Sequence, residues 1–474
     1  MSAVKYPLLI GGAFAEGARS AVLRDKYRGE PYGEIALASR EQVAAAVAGA
    51  RAGFEAHRLL ASERAAILAK AADIVLSRKA QLEKLMTAEA GFTTPDGDNE
   101  VRRCVETLRL SAEEAKRLEG ELVPMAAAPG LKDRMGFTIR VPRGVVCAIT
   151  PFNSPLNTVA HKLAPALAGG NAVVLKPSAF TPATAVELGR ALLDAGLPPK
   201  LLAIVHGSGE EVGRQLTEDP AIAYYTFTGS TRVGLEIQKG ALLRGTQLEL
   251  GSIASTIVCH DADTRKAIPK IVNAGFRKAG QVCTSVQKLF VDRRIAPAFT
   301  DAFVAAVKAL PFGDPADPRT VVGPMISRGH AERALAWVKE AERAGAEILA
   351  GGTLEGSVMA PTVLRRVTPA MRVVCEEIFA PVVSVIEFDE VAEAFAGAND
   401  QPFGLAVGVF TSNLHTAFAA ARALDFGGIH INEASSARVD AMPFGGVKAS
   451  GHGFEAPARA IREMTEERVV TIAY

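Results

Sequence analysis

The chain has 474 residues, 49% hydrophobic and 22% charged, with 53 basic side chains against 52 acidic ones. That length exceeds a single small core and implies two to four domains, while a net charge of +1 leaves no electrostatic footprint for nucleic acid or an anionic membrane. The five scattered cysteines form no CxxC pair or Cys/His cluster, so neither a disulfide framework nor a metal site is expected, and with no signal-peptide pattern or spanning apolar run the expected setting is cytoplasmic.

In chain order, "EQVAAAVAGARAGFEAHRLL" and "SERAAILAKAADIVLSRKAQLEKLMTAEAG" carry apolar residues at helical spacing, the second opening on Ser62. A third helix is predicted from Asp98 to about Gly120, and the Pro- and Gly-rich "ELVPMAAAPGLKDRMG" reads as an irregular connection or a hairpin. From residue 144 short valine-rich runs alternate with helical stretches: "GVVCAIT", "LNTVAHKLAPALAGG", "NAVVLKPS", "PATAVELGRALLDAGLP", "LLAIVHG", "IAYYTFTGS". This alternation predicts βαβ units and a parallel sheet. After residue 250, "STIVCHD", "QKLFVDRR" and "FTDAFVAAVKAL" suggest a second α/β domain, and the strand "ERVVTIA" ends the chain.

Four places invite chemistry. "HGSGEEVG" (206–213), with Gly209 and Gly213, resembles a dinucleotide fingerprint but has one residue too many before its last glycine, and a simple strand-to-helix turn explains it equally well. In "FTGSTRVG", Gly229 and Ser230 fall between a strand and a helix, where free N–H groups can meet a phosphate. Glu249, at the end of an apolar strand in "TQLELGS", suits a general base with a raised pKa if buried, and an edge position otherwise. Cys283 follows Arg277 and Lys278 in "FRKAGQVCTS"; its polar flanks argue against mere packing, and neighbouring cations would favour a thiolate. Cys104, Cys147, Cys259 and Cys375 read as structural.

Taken together, "PFNSPLN", "VVLKPS", "FTGST", "ELG", "GQVC", "EEIFAPV", "NDQPFGLAVGVF" and "MPFGGVKASG" resemble, in order, the motifs of the aldehyde dehydrogenase superfamily, over nearly the whole chain. The resemblance implies a Rossmann-type parallel-sheet cofactor domain (1–119 and 144–250), an α/β catalytic domain (251–452) and a small β bridging element (120–143 and 453–474). It implies Cys283 as nucleophile, Glu249 as general base and Asn153 as oxyanion donor. NAD or NADP would lie on Thr150, Pro151, Phe152, Lys176, Ser178, Ala179, Gly209, Gly213, Phe227, Gly229, Ser230, Val233, Leu250, Gly251, Glu377 and Phe379. The bridging element implies a homodimer or tetramer.

Two departures stand out. Ser252 replaces the family's second glycine after "ELG", which bears on the movement of the base. Ala179 replaces a glutamate that many NAD-specific members place on the adenosine ribose, so NADP becomes admissible. For the substrate, Arg103, His161, Arg438 and Thr284 are the candidate contacts, and they imply a short anionic or hydroxylated aldehyde held by arginines. Alternatives are a CoA-acylating semialdehyde dehydrogenase, against which Glu249 argues, and a catalytically silent structural relative.

Overall fold

The computed structural model describes residues 4–474. The predicted strand–helix alternation produces two parallel sheets, each with its own apolar core. In the first, five parallel strands run in the spatial order Gly245–Glu249, Ile222–Thr228, Val145–Ile149, Ala172–Lys176, Leu202–Ile204. Val145–Ile149 and Ala172–Lys176 are buried at every residue, which is why they read as unbroken apolar runs. The second sheet centres on Ala254–Val258 and Val286–Asp292, flanked by Val382–Phe388 and Ala406–Phe410.

The helix Thr94–Ala115 starts four residues before its predicted beginning, because Pro95 fits the first turn, and it ends short of Gly120. Its apolar stripe packs on Asn157–Ala168, a helix buried along its whole length. Strands Arg134–Pro142 and Thr465–Ala473 pair antiparallel over nine residues, with Leu122–Val123 on the other edge of Arg134–Pro142. This ribbon leaves Met135, Ile139, Val469 and Ile472 exposed. Around it the chain returns to the first sheet: Gly451–His452 pairs with Gly245–Glu249, and Ala460, Ile461 and Met464 enter the first core. The segment from residue 451 to 464 is therefore packed with the first sheet and its core, so the bridging element expected over 453–474 is confined here to the strand Thr465–Ala473. Apolar side chains of the short helix Pro457–Glu463 draw that segment to the core.

In the first sheet the strand order reverses between Val145–Ile149 and Ile222–Thr228. A crevice opens outside the carboxyl ends of parallel strands at such a reversal. The second sheet faces that crevice with the segments that precede its strands: residues 277–285 before Val286–Asp292, and residues 376–381 before Val382–Phe388. No helix among the described residues is long and apolar enough to cross a membrane.

Candidate active site

A cavity of about 1870 Å³ occupies the crevice. From the first sheet it is bordered by Thr150, Pro151, Phe152 and Asn153 after one strand, by Lys176, Ser178 and Ala179 after the next, and by Gly209 and Gly213. Phe227, Gly229, Ser230, Val233 and Leu250 continue the wall, and Cys283, Thr284, Glu377 and Phe379 close it from the second sheet. Arg103 and Arg438 border it as well. The near-fingerprint at 206–213 is a single π turn capped by Ser208, whose hydroxyl accepts from the Glu211 N–H at 3.0 Å.

Three expected contacts lie off the cavity. Gly251 sits behind Glu377, where a Cβ would come within 3.1 Å of Glu377 Oε2; its glycine makes room for that carboxylate. His161 is buried behind the wall, its Nε2 2.9 Å from Asp440 Oδ1 and 3.3 Å from Arg438 Nη2 and its Nδ1 without a partner among the described residues, so it touches Arg438 and not the cavity. Glu249 is buried with its side chain turned toward Gln247, whose Nε2 donates to Oε1 at 3.3 Å, while Oε2 has no partner.

The electrostatics differ from the expectation of a cation-activated thiol. Burial pushes the Cys283 thiol up to about 12, the Glu249 charge adds to this, and Arg438 is the cation that opposes it. Lys278 does not help, because its ammonium is committed to Glu100 at 2.7 Å. Burial and the nearby Glu455 also push Glu249 well above the ordinary carboxylate range, against Lys162 and Arg438. Cys104, Cys147 and Cys259 are buried as expected of structural thiols, but Cys375 is exposed.

The arginines are less free than their sequence suggested. Arg103 makes a two-point contact with Asp440 at 2.7 and 3.1 Å. Arg438 donates to Glu455 Oε2 at 3.0 Å and lies 3.9 Å from the centroid of the Phe444 ring. Glu455 in turn accepts from Lys162 at 3.0 Å and Thr228 at 2.9 Å. Arg277, which borders the cavity, forms no ion pair among the described residues and donates to Ser436 Oγ, a hydroxyl that also accepts from Thr284 at 3.2 Å. Sequence reasoning noted Arg277 only as a neighbour of the cysteine. Asp440, Glu455 and Lys162 went unremarked, since only the fold brings them to one place.

At the other end, Lys176 borders the cavity with no ion pair among the described residues, and burial lowers its amine to about 8. Glu377 accepts the Ser252 N–H on Oε1 at 2.9 Å, and burial raises its carboxyl to about 7. The Gly229 N–H is spent on the Glu249 carbonyl at 3.0 Å. The Ser230 hydroxyl takes the Val233 N–H, and the Thr231 and Arg232 N–H groups that open the helix Thr231–Ala241 are left to meet a ligand there.

The "Aldehyde dehydrogenase family" model matches residues 15–470. A 3-sulfolactaldehyde dehydrogenase of Priestia aryabhattai is 44% identical over 468 residues, covering 99% of this chain and 98% of its own. Among solved structures, aldehyde dehydrogenase 21 from Physcomitrella patens, in complex with the reaction product succinate, superposes with a TM-score of 0.97 at 33% identity, covering 100% of this chain and 99% of that one. Glyceraldehyde-3-phosphate dehydrogenase GapN from Methanocaldococcus jannaschii, complexed with NADP, gives 0.93 at 36% identity, covering 96% and 100%. The chain belongs to the aldehyde dehydrogenase family and is an oxidoreductase acting on aldehydes.

Proposed function

We propose that this enzyme oxidises a short aldehyde bearing an anionic group to its carboxylic acid, with Cys283 as nucleophile, Asn153 as oxyanion donor and Glu249 as base. The observation that carries the anionic reading is Arg277. Of the cations Arg103, Arg277, Lys278 and Arg438 that border the cavity, Arg103, Lys278 and Arg438 each have a carboxylate partner, while Arg277 has no carboxylate within ion-pair distance among the described residues and feels the Asp96 charge only from farther off. A guanidinium left with only a serine hydroxyl is suited to a two-point contact with a substrate carboxylate, sulfonate or phosphate. The three relatives named above act on or hold such compounds: a sulfonate, a dicarboxylate and a phosphate ester.

The residues at the first-sheet end fit a nicotinamide dinucleotide. Lys176 and Glu377 offer an unpaired ammonium and a carboxylate oxygen to ribose hydroxyls, the helix start at Ser230 offers N–H groups to the pyrophosphate, and Phe379 borders the same wall. NAD or NADP bound there supplies the hydride acceptor. Ala179 leaves no carboxylate to repel a 2′-phosphate.

The rest belongs to the chain. The Cys283 thiol gives up its proton to solvent water entering the cavity, and the resulting thiolate attacks the carbonyl carbon, breaking its C=O π bond and placing negative charge on oxygen. The Asn153 amide and the Cys283 N–H meet that charge; one such donor is worth roughly 3 kcal/mol. Once the tetrahedral carbon has lost its hydride, the acyl group remains on Cys283 as a thioester. Glu249, rotated outward from Gln247, takes a proton from water. The resulting hydroxide attacks the thioester carbon and the sulfur leaves as thiolate. The same reading places the enzyme in the cytoplasm as a homodimer or tetramer, paired through the exposed apolar ribbon of 120–143 and 465–473.

Two substitutions test the substrate assignment. R277A is expected to raise KM for an anionic aldehyde about 10- to 100-fold, the loss of a charged hydrogen-bonded contact, while KM for propanal stays within about twofold. R438A is expected to lower kcat for both substrates, since Arg438 holds Glu455 beside the base. Equal KM changes for the two aldehydes in R277A would refute an anion site.

A further inference from the structure

The loop that delivers Cys283 runs against backbone preference. Lys278 (φ 52°), Ala279 (φ 53°) and Gly280 (φ 67°) take left-handed conformations in succession, a region only glycine adopts freely. The restraint comes from outside the loop. The buried Lys278 ammonium reaches Glu100 Oε1 at 2.7 Å and the Asn153 carbonyl at 3.0 Å, and lies 4.4 Å from the Phe92 ring centroid. Glu100, fully buried on the helix Thr94–Ala115, also accepts from Ser154 Oγ at 2.8 Å and the Asn157 N–H at 3.0 Å. Asn153 Nδ2 donates to the Gln281 carbonyl at 2.7 Å. One carboxylate thus ties the loop of residues 153–157 to the loop of residues 278–283.

We propose that Glu100 and Lys278 are positioning residues that fix the Asn153 amide relative to the Cys283 sulfur before an aldehyde arrives. The proposal rests on the roles given above to Asn153 and Cys283. A buried ion pair is a weak source of stability, because desolvation of both charges offsets their attraction. What it supplies is direction. Burial pushes the Glu100 carboxyl up, but the Lys278 charge and hydrogen bond and the Asn157 N–H outweigh it and hold it ionised. An ionised carboxylate accepts all its donors at once, and an apolar pair of equal volume would orient none of them.

The test uses the full chain with E100Q, with K278N, whose asparagine suits the left-handed backbone, and with the double variant E100Q/K278N, which leaves neither buried charge unpaired and keeps the test if a single variant unfolds. Kinetics are measured with aldehyde and dinucleotide, alongside dinucleotide binding and the rate of Cys283 alkylation by iodoacetamide. A displacement of about 1 Å costs about 100-fold in rate, so kcat is expected to fall about 30- to 100-fold. Alkylation, which develops no carbonyl oxyanion, should stay within about threefold. Dinucleotide binding should stay within about twofold, because the dinucleotide end lies away from the pair. In the double variant E100Q/K278N the loss should be no greater than in the worse single, as for residues acting as one unit. A kcat near that of the native enzyme, a parallel fall of kcat, alkylation and binding, or multiplicative losses in the double variant would overturn the proposal. Undiminished turnover in C283A would instead remove the reading on which it rests.

Discussion

The two parallel sheets meet the cavity with opposite ends. The first presents the carboxyl ends of its strands, so the start of the helix Thr231–Ala241 and the unpaired Lys176 point at the ligand space. The second presents the segments that precede its strands, and most of the cations gathered there are tied to carboxylates: Lys278 to Glu100, Arg438 to Glu455 and, on the neighbouring helix, Arg103 to Asp440, while Arg277 is left with the Ser436 hydroxyl. The difference has a physical origin. A carboxyl edge carries backbone donors that hold a phosphate with no side-chain support. A loop entering a strand carries no such field, so its geometry is fixed by buried side-chain contacts. Unpaired groups mark where a ligand completes the structure; paired groups mark where the structure is complete before the ligand comes.

Glu249 stands on the line between these regimes and gives the largest expected effect. Its Oε2 has no partner, and burial followed by the Glu455 charge raises its pKa above the ordinary carboxylate range. The base must be ionised to act, so kcat of the native enzyme should fall as pH drops through that raised pKa. In E249Q this acid limb should vanish and kcat should fall by about 10³-fold, within the span usual for a lost general base. A burst of NAD(P)H stoichiometric with Cys283 should accompany it, since the thioester still forms. An acid limb that survives in E249Q would assign the titration to another group.

The comparison also explains what the sequence made legible. Both sheets, their order along the chain and the cavity-lining turns were readable because short valine-rich strands alternate with helices, and the motifs lie at strand ends. The partners of Arg103 and Arg438 were not readable. Asp440 is 337 residues from Arg103, and its carboxylate reaches the guanidinium only after the loop of residues 436–446 folds over the helix Thr94–Ala115. Cys283 shows the same limit in energetic terms. Adjacent cations in sequence suggested an activated thiol, but Lys278 turns away to Glu100 and burial governs the sulfur. The helix Thr94–Ala115 begins ahead of the predicted Asp98, with Pro95 in its first turn, where proline is at home.

The contrast between paired and unpaired charge can be broken at each end. Asp440 is 5% exposed, and the hydrogen bonds of His161 and Arg103, with the charge of Arg103, hold its carboxyl far below the ordinary range despite burial. D440N leaves Arg103 and His161 facing a neutral amide and should destabilise the fold by about 3–5 kcal/mol, as for a broken buried pair. Because the folded pKa is depressed, this contribution is present above the unfolded value of about 4 and is lost as pH falls below it. Urea unfolding of both forms should therefore converge in acid. K176M at the other end should cost no stability, since burial already disfavours the ammonium, yet should raise the dinucleotide KM about 10- to 100-fold. Equal destabilisation by the two substitutions would erase the distinction.

The smallest effect is expected at Ser252, the residue that departs from the family glycine. Its N–H donates to Glu377, a contact that any residue but proline retains, while its hydroxyl is buried with no partner. An unsatisfied buried hydroxyl costs about 1–3 kcal/mol. S252A removes that group and keeps the backbone restraint, so it should raise stability by about 1 kcal/mol. S252G should fall below S252A by about 0.4–1 kcal/mol, because glycine loses more chain entropy on folding. With no part for the hydroxyl in turnover, kcat in S252A stays within about twofold of native, less than the roughly 1 kcal/mol of a lost hydrogen bond. A tenfold slower release of the acyl group with KM unchanged would show instead that Ser252 receives Glu249 when it rotates toward the thioester, and that this unpaired hydroxyl, like Lys176, waits for a partner that arrives only during the reaction.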